Sequence, residues 1–335
     1  MEVVAPRVAV LLYHRVADVT CDPWRLCVTP AHFAEHCEVL ARRRLVRPLP
    51  AVLSSLASGR LPRRAVAITF DDGYADNLEQ ARPGLARHGL PATVFVTAGA
   101  IGATREFWWD ELEQMLLGER ALPATLSLQV AGVAHHWELG ADAARMTVPG
   151  EAIRAWEPWE AAHPSRRHAL YRELYDLLFT LPNAERLAAL DALGTWASAP
   201  SLARPSHRTL TEAELAELAG DGLIEVGCHT MTHPPLSTLG AAAQRDEVVQ
   251  ARTRLEALTG RPVRCFAYPY GRRRDYDRGT VALVRELGFL GACSNFPGLV
   301  GRDTSRFEVP RLQVRDWDGA TFARQLDGWL AGDVG

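Results

Sequence analysis

Nothing in the chain approaches the ~20 consecutive apolar residues that a membrane-spanning helix needs, so no stable membrane insertion is expected. Nor does a secretory leader stand out. Met1-Glu2-Val3-Val4-Ala5-Pro6-Arg7 has no basic n-region, and the apolar stretch from Val8 to Tyr13 ends in His14-Arg15. A cytoplasmic location is the resulting expectation. The six cysteines, at 21, 27, 37, 228, 265 and 293, include no Cys-x-x-Cys pair. Cys228, Cys265 and Cys293 lie in apolar strand-like runs, where a thiol serves as a small core residue, and a reducing compartment is the default. A basic field is missing too: the formal charge is −3 and the pI about 6.4, which argues against nucleic acid or an anionic membrane as partner. There are no internal repeats and no low-complexity tracts.

What is present suits an enzyme: 335 residues, 47% of them hydrophobic, enough for one large core or two smaller ones. Ala65 to Phe70 is a short β-rich apolar run that breaks into Asp71-Asp72-Gly73, placing two carboxylates at a strand's C-terminal end. Leu223 to Cys228 is a second such run and delivers His229-Thr230-Met231-Thr232-His233 to the same kind of position. Four-residue spacing predicts both imidazoles on one side of a helical turn. Asp-Asp-Gly alone is a common turn, and His-x-x-x-His alone is often a solvated helix face. Both at strand ends of one chain point to a mononuclear metal hydrolase. Two His and one carboxylate hold an ion while leaving a position open for water, and the second carboxylate is then available as a base.

These motifs resemble the NodB-like polysaccharide deacetylase family, which includes chitooligosaccharide, chitin and peptidoglycan N-deacetylases. Thr69 to Gly73 matches its first motif, His229 to His233 its second, and Tyr268-Pro269-Tyr270-Gly271 part of its third. The resemblance implies Asp71 as catalytic base, with Asp72, His229 and His233 as ligands of one divalent ion. Zn²⁺ is the first expectation for that ion, with Co²⁺, Ni²⁺ or Mn²⁺ as alternatives. It also implies the backbone N–H of Tyr270 as an oxyanion donor, and it narrows the fold from a general α/β sheet or barrel to a distorted, incomplete (β/α) barrel.

Two departures from the family pattern stand out. Ala267 occupies the place of the Arg that braces the base, leaving Arg311 and Arg15 as replacements. No His follows His233, although the family ends a C-terminal strand with a His that protonates the leaving amine. The corresponding strand, expected over 307–314, runs into Arg315-Asp316-Trp317. His14, at the end of the Val8–Tyr13 run, is the expected substitute because some branches of the family carry a similar Tyr-His pair there; Asp316 is the second candidate.

Alternating strands and helices surround these motifs. Helices are predicted over 30–44, 76–88 and 241–259 and from about 319 to 330, with a capping box at Thr211–Glu214. Strands are predicted over 92–97, 264–268 and 289–293. The stretch 101–207 breaks the rhythm with a helix beginning near Glu106, a hairpin over 125–139 and helices over 166–180 and 184–196. It carries six of the nine Trp and reads as an insertion packed on the active face of a single 1–335 domain. Trp108 and Trp109 are candidate sugar-stacking residues, with Tyr268, Trp317 and Arg311 as further substrate contacts. The expected activity is removal of an N-acetyl group from an amino sugar or glycoconjugate intermediate, nucleotide- and lipid-linked forms included. A deformylase or other amide hydrolase of the same superfamily, and a carbohydrate-binding pseudoenzyme, remain alternatives.

Overall fold

The computed structural model describes residues 6–144, 148, 152–153, 156–159, 162–199 and 202–334. Its strands are β1 (Arg7–Tyr13), β2 (Arg15–Val16), β3 (Cys27–Val28), β4 (Arg64–Phe70), β5 (Ala92–Val96), β6 (Thr125–Val130), β7 (Val133–Glu138), β8 (Ile224–Cys228), β9 (Cys265–Ala267), β10 (Gly291–Cys293) and β11 (Leu312–Gln313). Seven form one sheet in the order β10-β9-β8-β5-β4-β1-β11, and every paired neighbour is parallel. The sheet curls on itself: Val309 bridges Cys293 beside β10, and Val300 bridges Val8 of β1. The alternation of elements predicts a parallel sheet or barrel, and the sheet is the incomplete barrel that the family resemblance implies.

The chain divides into two compact units. One comprises the described residues up to Asp18, Cys27–Gly102 and the described residues from Thr209 onward; the other comprises Val19–Leu26 and Ala103–Arg208.

In the first unit the strands are apolar at nearly every position because both faces of the sheet are covered. One face (Leu11, Ile68, Val94, Val226, Phe266) packs under helices Pro30–Arg43, Glu212–Gly220, Ala241–Thr259 and Gly319–Ala331. The other face (Val8, Val10, Ala65, Ala67, Phe95, Cys265, Cys293) closes around Leu49, Val52, Leu53 and Leu56 of helix Leu49–Ala57. Sequence periodicity did not anticipate that helix, which fills the curled side. The signals that were read hold elsewhere. Thr29 caps helix 30–43, Thr211 and Glu214 form the capping box, and Gly260 stops helix 241–259 in a left-handed conformation. The strand expected over 307–314 is a correction: only Leu312–Gln313 forms a strand, with an isolated bridge at Val309. Pro310 has no N–H to give a ladder, and Arg311 turns its side chain into the barrel interior.

In the second unit, β6 and β7 form the expected antiparallel hairpin, with Val130 opposite Val133. Helices Trp108–Leu116, Arg166–Phe179 and Asn183–Ala197 accompany it. Its aromatics pack on one another: Trp108 lies 4.6 Å from Tyr175, and Trp109 stacks on Phe107 at 4.7 Å. Among the described residues no helix is long and apolar enough to cross a membrane, and all six cysteines are free thiols.

One close approach in the sheet depends on a missing side chain. A Cβ on Gly227 of β8 would lie 2.3 Å from the Phe95 ring of the neighbouring β5. Gly227→Ala is expected to destabilise the protein by about 1–3 kcal/mol through overpacking, read as a lower denaturation midpoint with an unchanged m-value. The double variant Gly227→Ala/Phe95→Leu should recover part of that loss; an undiminished midpoint in the single variant would refute the packing argument.

Candidate metal centre

The parallel register determines which residues meet. Tyr13 is level with Phe70, Phe70 with Val94, and Val96 with Cys228, so His14, Asp71 and His229 leave the sheet along one edge. Backbone bonds tie these exits together. Asp71 N–H donates to Tyr13 O (3.0 Å), Thr97 N–H to Asp72 O (3.1 Å) and His229 N–H to Val96 O (3.1 Å). Gly73 follows at φ 89, and a Cβ there would stand 2.9 Å from Val96 Cγ1, so the turn after the two carboxylates requires glycine.

Asp72, His229 and His233 converge and are all buried, with one ligand atom from each within 4.8 Å of the others. Asp72 Oδ1 lies 3.3 Å from His233 Nε2 and 3.6 Å from His229 Nε2. His229 Nδ1 sits 2.8 Å from the Ala267 carbonyl. Donating its proton there fixes the tautomer and turns the Nε2 lone pair toward Asp72. The electrostatics fit a cation. Burial pushes the Asp72 carboxyl up and the His229 imidazole down to about 4. Burial thus keeps His229 neutral, with a lone pair available to an ion, and leaves the Asp72 carboxylate in need of a positive partner.

The His pair does not ride on a helical turn, contrary to the spacing argument. Residues 229–233 form an irregular loop in which Thr230 (φ 64) and His233 (φ 58) are left-handed. His233 N–H donates to Thr230 Oγ1 at 3.1 Å, folding the loop so that the second imidazole returns to the first. Glu247, on helix 241–259, clamps the loop from outside. Its carboxylate accepts from Met231 N (2.9 Å), Thr232 N (2.8 Å) and Thr232 Oγ1 (2.6 Å). Sequence reasoning missed Glu247, since no local pattern links a helix carboxylate to a loop 14 residues upstream.

Asp71 stands beside the cluster, its Oδ2 3.9 Å from His229 Nε2. The fully buried Arg311 grips it with both terminal nitrogens, Nη1 to Oδ1 at 2.7 Å and Nη2 to Oδ2 at 2.6 Å. Arg311 Nε donates to Ser294 O (2.7 Å), and Nη1 also reaches Thr69 Oγ1 (3.3 Å). Burial alone would raise the Asp71 pKa, but Arg311, with His229, outweighs it and holds the carboxyl at about 2. Of the two candidate replacements for the missing Arg, Arg311 therefore is the one that braces Asp71. Arg15 pairs with Asp76 instead (3.1 Å) and lies over the Tyr74 ring.

His14 joins this set. It is level with Asp71 by register, its carbonyl accepts from Asn77 Nδ2 at 2.9 Å, and the charges of Asp72, Asp71, Arg311 and His229 all act on its imidazole. Burial is the larger effect and lowers its pKa. Tyr270, left-handed at φ 59, sets its ring 4.6 Å from that of His233.

The other expected site residues are engaged elsewhere. Asp316 accepts from Thr29 N (2.8 Å) and Thr29 Oγ1 (2.9 Å) and pairs with His32 Nδ1 (2.7 Å), at the start of helix 30–43. Tyr268 is buried, with its hydroxyl on Phe307 O (2.9 Å) and its ring stacked on Tyr276. Trp317 is half-buried against Trp329. Trp108 and Trp109 are only 6% and 5% exposed. Burial argues against direct substrate contact by Tyr268, Trp108, Trp109 and Arg311, because a packed side chain has no free face for a sugar, whereas the half-buried Trp317 keeps part of its surface open.

Residues 58–119 and 184–292 match the polysaccharide deacetylase family. Among curated proteins, YxkH of Bacillus subtilis (strain 168), whose name assigns it provisionally to polysaccharide deacetylation, is 28% identical over 111 residues. That match covers 32% of this chain and 38% of the relative's length. Two solved structures share the fold. The deacetylase PplD of Streptococcus pyogenes, determined with acetate, has a TM-score of 0.58 at 15% identity, covering 96% of this chain and 99% of that one. IcaB of Ammonifex degensii has a TM-score of 0.56 at 18% identity, covering 97% of each chain. With both family segments and the curled sheet in place, the chain belongs to the polysaccharide deacetylase family.

Proposed function

We propose that the chain is a metal-dependent amidohydrolase that removes an N-acetyl group from an amino sugar. One arrangement carries this reading: a carboxylate locked in its ionised form by Arg311, directly beside a buried Asp72–His229–His233 cluster. A divalent ion held by Asp72, His229 and His233, Zn²⁺ in the first instance, would polarise the amide carbonyl and acidify water at the site.

The chain's own residues supply the remaining chemistry. Asp71 takes the proton from the attacking water. Arg311 aims both of its oxygens and keeps them unprotonated at neutral pH. The Tyr270 N–H, set by the left-handed turn beside His233, donates to the oxygen that gains charge when the carbonyl is attacked. An amide nitrogen leaves only when protonated, and His14, which follows β1 level with Asp71, delivers that proton. Acetate and a free amine are the products.

Three outcomes test this reading. His229→Ala or His233→Ala should abolish metal binding and acetate release while leaving the far-UV spectrum unchanged; wild-type metal content in both would refute the ligand assignment. Arg311→Met should raise the Asp71 pKa. Because the base must be ionised, the acidic limb of the pH–rate profile should then move to higher pH, with kcat reduced even on the plateau. An unmoved limb would detach Arg311 from the base. His14→Ala should lower kcat by ~10²- to 10⁴-fold with metal retained, whereas Asp316→Asn should stay near wild type; the reverse result would transfer the acid role to Asp316.

A further inference from the structure

On the sheet's β9–β10 side, a groove of about 640 Å³ is lined by Arg273, Arg278, Arg285, Tyr276 and Glu308 among others. Arg278 and Arg285 lie two turns apart on one face of helix Arg278–Glu286, together with Val281 and Ala282. The loops that feed the groove leave the C-terminal ends of β9 and β10, the same sheet edge from which Asp71 and His229 emerge. They are joined to the catalytic residues by backbone. Asn295 N–H donates to Gly271 O (2.8 Å), next to Tyr270, and Arg311 N–H donates to Phe296 O (3.1 Å).

Several surface arginines of the protein meet carboxylates, as in Arg43–Asp327, Arg82–Asp221, Arg172–Asp176 and Arg245–Glu286. Among the described residues Arg273, Arg278 and Arg285 form no ion pair, in a chain whose net charge is −3. Two lie over rings, Arg273 over Phe296 at 4.3 Å and Arg285 over Phe307 at 5.1 Å. A guanidinium stacked in this way keeps its planar fork oriented at little further entropic cost. The acids that line the groove already have partners: Asp277 caps the helix through Thr280 N (2.8 Å), and Glu308 accepts from Tyr276 OH (3.4 Å).

Three guanidiniums without ion pairs, two of them over rings, outnumber the two carboxylates around this concavity and suit a phosphate group, since such forks bind phosphate oxygens bidentately. We propose that this groove holds a phosphate, as a mono- or diester or a pyrophosphate, carried by the acylated substrate. The assignment rests on the amidohydrolase reading and narrows its substrate to a phosphorylated amino sugar.

The test compares the metal-loaded protein with its R273Q/R278Q/R285Q variant; the three residues are exposed, and circular dichroism checks the fold. Inorganic pyrophosphate, titrated calorimetrically at low salt, should bind the variant at least about tenfold more weakly, and wild-type binding should weaken as NaCl is added. The metal site is common to both proteins, so the difference reports the groove; equal affinities would overturn the proposal. In the kinetic arm, the variant should show a KM for N-acetylglucosamine 1-phosphate raised about tenfold, with its kcat and its KM for a neutral methyl glycoside unchanged. If both KM values move together, or if only pyrophosphate binding changes, the groove does not hold substrate. Should metal-loaded wild type hydrolyse neither sugar, the amidohydrolase reading fails, and the calorimetric difference alone decides whether the groove binds phosphate.

Discussion

The parallel-sheet unit of the molecule is organised around one buried ion pair, Arg311 on Asp71. Arg311 lies one residue ahead of β11 and Asp71 one residue past β4, with β1 between those strands, so the pair spans three strands of the curled sheet. Removing one partner of such a pair would leave an uncompensated charge in the interior, which is why the pair constrains the structure so strongly. Each part of the guanidinium is satisfied: two nitrogens on the carboxylate, Nε on Ser294 O, a further contact to Thr69, and Phe95 beneath it at 5.7 Å. Phe95 can occupy that place only because position 227 is glycine. Base, brace, backing ring and missing side chain thus form one packed unit.

The ligands are held by a different device. Asp72, Thr230, His233 and Tyr270 are four of the eight non-glycine residues with left-handed backbone among the described residues. Each such conformation costs about 1–3 kcal/mol and persists only where surrounding bonds over-determine it. Here those bonds are visible. Thr97 N–H holds the Asp72 carbonyl, Thr230 Oγ1 holds His233 N–H, and Glu247 takes three donors of the intervening loop. Strain concentrated on the metal-facing residues and answered by fixed hydrogen bonds yields ligands that do not reorganise when charge enters the site.

Much of this was legible in the sequence, for reasons tied to particular residues. A β-rich apolar run broken by Asp-Asp-Gly or by His announces a strand end, and parallel register then forces such ends onto one edge; Asp71, Asp72, His229 and His14 were found on that basis. Capping residues marked Thr211 and Gly260 for similar local reasons. What escaped was what depends on distant chain. Arg311 was picked out as a brace for Asp71, yet the choice between it and Arg15 stayed open, because Pro310 and the inward turn destroy the strand pattern from which its direction would be read. The 229–233 loop has helical spacing but a fold set by Thr230 and Glu247, so the spacing rule misassigned its backbone. The tryptophans carry no sequence mark that distinguishes a packed ring from a sugar platform, and burial decided against Trp108 and Trp109.

All 37 basic residues of the chain are arginine, and the structure uses the properties that separate this side chain from lysine. Guanidinium is weakly hydrated, stays charged when buried and offers several donors in a plane. Arg167 and Arg186 are buried like Arg311, but they face carbonyls. Arg186 donates to Leu178, Phe179 and Leu181 at the end of helix 166–179, satisfying acceptors that a helix terminus leaves open. Arg167 donates to Asp142, Gly118 and Ala143 carbonyls. A carbonyl partner leaves the positive charge in place and fixes local chain; a carboxylate partner cancels it and, in Asp71, fixes an ionised base. Of the three, only Arg311 meets a carboxylate, and that carboxylate stands at the metal cluster. The same chemical group therefore serves as helix cap in one unit and as brace for the base in the other, with the acceptor it meets determining which.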